Sequence, residues 1–103
     1  MIVAIFFHIP GALQPFSDGR RTIQIEAAPC SLREALEKLF SSHPGLRDRI
    51  WTEQSTVREH INLFVGHEDV RYLNGLETRL TDAAEILIVP AVSGGALLHF
   101  IPR

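Results

Sequence analysis

Few residues in this sequence have a type and spacing that could do chemistry unaided. Cys30 stands just before Ser31 at the start of a helical pattern, where a helix amino end can lower a thiol pKa, but no histidine is placed to activate it. It reads better as a small apolar residue near Ala35, at a staple position. The histidines, His8, His43, His60, His67 and His99, show no metal-ligand spacing and no carboxylate cluster. A glycine-rich phosphate loop is also missing, so nucleotide chemistry is not expected of the chain itself. What remains is Gly94-Gly95, which closes the run "EILIVPAVSGG". At a chain end this pair would be a carboxyl group on a slender arm. Here "ALLHFIPR" follows, so the Gly95 carbonyl is an amide to Ala96. The pair is either a handle to be uncovered or a hinge before one more element.

The elements that would position this arm are legible from periodicity. Val3, Ile5, Phe7 and Ile9 alternate with Ala4, Phe6 and His8, the pattern of a strand, and Pro10-Gly11 ends it. After a turn at Asp18-Gly19, Ile23 and Ile25 face one way and Thr22, Gln24 and Glu26 the other, giving a hairpin with a long loop. Ser31 and Glu34 form a capping box, and Leu32, Ala35, Leu36, Leu39 and Phe40 make one apolar stripe, with Arg33, Glu37 and Lys38 towards water. Pro44-Gly45 is expected to stop this helix. Leu46, Ile50 and Trp51 then anchor an irregular connection. Residues 57–66 predict a third strand with Ile61, Leu63 and Val65 on one face, residues 70–73 a short strand, and residues 85–92 the last strand. Turns are expected at 66–69 and at Asn74-Gly75, with Leu76 and Leu80 closing a loop over the core. This order, with the most apolar first and last strands side by side, predicts an α+β fold of the β-grasp kind, a mixed sheet packed on one main helix.

Composition narrows the class. The chain has 103 residues, 46% hydrophobic and 21% charged, enough for one compact domain. A formal net charge of -2, with mixed signs and no basic block, argues against nucleic acid or an anionic membrane as partner. The apolar start "MIVAIFFHIP" lacks a basic leader and a cleavage site, and no run approaches the roughly 18–20 apolar residues that cross a bilayer. A single cysteine allows no internal disulfide, so a cytoplasmic location is expected.

The stretch "VREHINLFVGHEDVRYLNGLETRLTDAAEILIVPAVSGG" resembles the carboxyl half of ubiquitin-like sulfur carriers of the MoaD/ThiS type. "EDVRYLNGLET" and "ILIVPAVSGG" together carry the likeness. The resemblance implies a β-grasp domain over residues 1–93, a functional terminus at 94–95, and an extension at 96–103 to be removed. It also implies that the chain is no enzyme. An ATP-dependent adenylating enzyme of the ubiquitin-activating type would act on the Gly95 carboxylate, and sulfur would then replace AMP to give a thiocarboxylate. Gly94 would give clearance in a narrow channel, since glycine has no Cβ. The carrier would bind no cofactor or metal; ATP and a sulfur donor belong to the partner. Cutting between Gly95 and Ala96 is the work expected of a zinc-dependent protease of the JAMM class. The final acceptor would be a synthase making cysteine or homocysteine, a cofactor or a secondary metabolite.

The sequence departs from that family at residues 82–85, where its usual DGDE turn reads Asp82-Ala83-Ala84-Glu85. Counting back from the glycines as in ubiquitin-like folds places Ile86 and Ile88 inside and Leu87 and Val89 outside. By alternation Phe64 joins the outer side, so Phe64, Leu87 and Val89 would form a docking patch, with Arg71 and Tyr72 as orienting contacts. Three other roles remain open at this point. The terminus could form isopeptide bonds as a protein modifier, or serve in the small subunit of molybdopterin synthase. Alternatively, the glycines could be only a hinge in an interaction domain.

Overall fold

A computed structural model of the protein describes residues 1–91. Five strands form one mixed sheet in the order β2-β1-β5-β3-β4, with β1 at Val3–His8, β2 at Thr22–Ala27, β3 at Ile61–Val65, β4 at Glu68–Asp69 and β5 at Ala84–Pro90. β1 pairs antiparallel with β2 and parallel with β5, placing the two most apolar strands in adjacent central positions as expected. Alternation decides what each strand buries: Val3, Ile5, Phe7, Ile86 and Ile88 all face the core. This is the β-grasp architecture expected from the pattern.

Helix α1, Leu32–Ser42, covers the inner face of the sheet with Leu32, Ala35, Leu36, Leu39 and Phe40. Its start is fixed by a reciprocal pair: Glu34 N–H donates to Ser31 Oγ at 3.2 Å, and Ser31 N–H donates to Glu34 Oε1 at 2.9 Å. The second bond holds the Glu34 carboxyl below its usual range. Arg33 does not point to water as expected. It is half-buried and donates to Glu77 Oε2 at 2.9 Å and to the Ser55 carbonyl at 3.2 Å, tying the helix to two loops.

Four local expectations are corrected. Pro44 does not end helical structure but opens a second helix, α2, Pro44–Ile50, because proline lacks only an N–H that the first turn leaves unbonded. Gly45 serves packing rather than reversal, since a Cβ there would lie 3.1 Å from the Phe16 ring. Leu46, Ile50 and Trp51 are buried as anchors, with Trp51 set edge-on to Phe40 at 5.0 Å. The third strand begins only at Ile61, because Val57 and Arg58 are bound elsewhere: Val57 bridges to Trp51 and Arg58 N–H donates to the Ile50 carbonyl. Residues 70–73 are not a strand. The short strand lies one step earlier, and Val70–Tyr72 is a 3₁₀ turn capped by the Asp69 carboxylate. A further 3₁₀ turn, Gly11–Phe16, fills the long β1–β2 connection.

Candidate functional site

The final strand is a rod held at both ends. At its start, Ala4 N–H donates to Asp82 Oδ1 and Ala83 N–H to the Ala4 carbonyl, both at 2.8 Å. The turn is made without glycine, and Ala83 takes a φ of +67°. A left-handed alanine costs about 1–2 kcal/mol, offset here by the two bonds to β1. At its finish, Ala91 N–H donates to the His60 carbonyl at 2.6 Å, so pairing with β3 persists to the last described residue. Ala91 therefore lies beside the start of β3. Gly94, Gly95 and Ala96 lie outside the described residues, as does the part of the expected last strand beyond Ala91.

The docking residues read from alternation share the sheet face opposite the helices. Phe64 sits directly across from Leu87, and Val89 across from Asn62. Phe64 and Leu87 are half-buried and Val89 is 38% exposed, so the patch is shallower than a fully open one. On the β1 side, Leu87 is flanked by His8, whose Nε2 lies 2.7 Å from Glu85 Oε1. This polar pair borders the apolar residues.

Arg71 and Tyr72 stand on the 3₁₀ turn rather than a strand. Asp69, the cross-strand neighbour of Phe64, accepts from the Arg71 backbone N–H at 2.9 Å and from Nη2 at 2.7 Å. The bound guanidinium holds the Asp69 carboxyl below its usual range, and the carboxylate raises the Arg71 pKa in turn. Asp69 thus clamps Arg71 next to the strand of Phe64, and the following residue, Tyr72, is 82% exposed. Sequence reasoning missed the clamp, although Asp69-x-Arg71 carries the signal: an aspartate accepts readily from the amide two residues on. It also missed Asp82, whose anchoring role requires β1 to lie alongside.

Cys30 is buried, and desolvation pushes its thiol up from the usual value, the opposite of activation. Among the described residues no group of three histidine, cysteine or acidic side chains could hold a metal ion, and no helix is long and apolar enough to cross a membrane. His99 lies outside the described residues.

Comparison with known proteins decides the family. The ThiS family model matches residues 7–95. The chain belongs to the ThiS family. Among related ThiS-type proteins, it is 32% identical to the sulfur carrier protein CysO of Mycobacterium tuberculosis over 84% of this chain and 94% of the relative. It is 30% identical to small archaeal modifier protein 1 of Haloferax volcanii, over 75% and 85% respectively. A chain of the Amycolatopsis orientalis BexX/CysO complex superposes with a TM-score of 0.77 at 32% identity, covering 88% of this chain and 99% of the other. The β-grasp framework is thus shared with solved relatives.

Proposed function

We propose that this ThiS-family chain is a sulfur carrier made in a blocked form. Hydrolysis of the Gly95–Ala96 amide by a JAMM-type metalloprotease frees the Gly95 carboxylate. That carboxylate attacks the α-phosphorus of ATP on a ubiquitin-activating type of enzyme, pyrophosphate leaves, and an acyl adenylate forms. A sulfur donor then displaces AMP to give a thiocarboxylate, which a synthase consumes. Gly94 keeps the approach free of side chains. The body contributes the patch of Phe64, Leu87 and Val89 for docking, with Arg71 and Tyr72 at its border. A step that uses ATP is expected in the cytoplasm.

One observation carries this reading: the family match runs to residue 95, ending on the second glycine while the sequence continues with Ala96. Kinship with a CysO sulfur carrier supports the choice of cargo. The archaeal modifier relative favours a second reading, in which the same freed terminus is joined to lysine amines.

Incubating the full chain with the protease should yield a product with the mass of residues 1–95. Only that product should support ATP–pyrophosphate exchange with the activating enzyme. Adenylation of the intact chain would overturn the proposal. A mass gain of one sulfur-for-oxygen exchange marks the carrier; capture of a lysine amine marks the modifier.

A further inference from the structure

The two edges of the sheet are built differently. β4 is only 2 residues long and ends in the capped turn at Asp69, which blunts that side. β2 is 6 residues long and carries no proline, lysine or bulge. Ile9 N–H donates to the Arg21 carbonyl, which fixes the parity of the ladder. Odd-numbered β2 residues bond to β1, and the N–H and C=O of Thr22, Gln24 and Glu26 point outward. Among the described residues nothing bonds to them. Beneath this edge, Ile23, Ile25, Ser42 and His43 border an open groove of about 460 Å³, so neither helix covers it.

Charge along the edge has opposite signs at its two ends. Arg20 and Arg21, both exposed, lead into it, and Glu26, also exposed, stands near its far end. None of the three has an ion-pair partner among the described residues. A parallel neighbour of the same sequence would set like charges together. An antiparallel one sets Arg20 near the other copy's glutamate, on the same face of the sheet.

We infer that the occupant of this edge is a second copy of the chain, paired antiparallel through β2 about a two-fold axis at Gln24. In that register Gln24 faces Gln24 of the second copy and Thr22 faces Glu26 of the second copy. Both are hydrogen-bonded pairs that use every outward backbone group of the strand. Ile23 faces Ile25 of the second copy, an apolar cross-strand contact on the helix side. Arg20 lies on the diagonal from Glu26 of the second copy, within reach of a long side chain. The sheet order sets the interface apart from β3 and β5, so each copy keeps the patch of Phe64, Leu87 and Val89 uncovered. This inference is independent of the sulfur-carrier reading.

Sedimentation equilibrium of the full chain should show a concentration-dependent species of twice 11.5 kDa that weakens with salt. Gln24→Pro should leave the circular dichroism spectrum intact, because the Gln24 N–H makes no bond inside the chain, and should abolish the dimer. Glu26→Arg should weaken it roughly tenfold, and adding Arg20→Glu should restore it. The proposal fails if the chain is monomeric at every concentration, if neither Gln24→Pro nor Glu26→Arg changes the dimer, or if charge reversal is not rescued. It also fails if the Thr22, Gln24 and Glu26 amides gain exchange protection only when another protein is added, which would place a partner's strand there.

Discussion

β5 offers the same chemistry to two faces of one sheet, with different outcomes. Ile86 and Ile88 are sealed under the helices, at 0% and 3% exposure, while Leu87 and Val89 keep part of their surface on the other side. All four are aliphatic and alternate along one strand. Among the described residues only the helix side has a second layer to complete their burial, so its residues hold the fold together while the others stay partly open.

The sharpest way to break this contrast is truncation on each face. Ile86→Ala removes packed core volume and should lower unfolding stability by about 2–5 kcal/mol, against less than about 1 kcal/mol for Leu87→Ala, measured by urea melts. Equal losses would mean that both faces are core. Phe64→Asp should leave the domain folded while weakening binding to the activating enzyme by about 2 kcal/mol, read by calorimetry. Collapse of the fold would assign Phe64 to the core instead.

Smaller effects test how the inner layer is assembled. Ser31→Ala removes the helix cap and should cost about 1 kcal/mol. The Glu34 carboxyl has a depressed folded-state pKa because it accepts from Ser31 N–H, and Asp69 is depressed by Arg71. Their stabilisation is therefore complete above the ordinary carboxylate pKa and is lost as pH falls through the folded values. Urea midpoints should decline across that acid window, and Glu34→Gln should flatten the decline. The smallest expected change is a gain: Ala83→Gly relieves a left-handed alanine and should raise stability by about 0.5–1 kcal/mol.

Much of the framework was legible because alternation and capping are local. Residues Val3 to Ile9 declared their buried face, and Ser31 with Glu34 declared the start of α1. Pro44 misled because a proline is equally at home after one helix and at the first position of the next; only the burial of Leu46 and Ile50 separates the two. The "VRYL" segment misled in a related way. Its β-favouring residues were overruled by the carboxylate of Asp69, which captures the Arg71 amide and bends the chain. The patch of Phe64 and Leu87 followed from alternation, but its shallow exposure depended on neighbours across the sheet.

By itself, the sequence determined the four longer strands β1, β2, β3 and β5, which stripe of α1 is buried, and where the glycine pair falls. Each depends on residues close together along the chain. The tertiary structure alone decided that Asp82 anchors Ala4, that Arg33 ties α1 to two loops, and that β2 is left with an open edge while β4 is blunted. Those outcomes arise from hydrogen bonds and packing between residues far apart in the chain, and no local pattern encodes them.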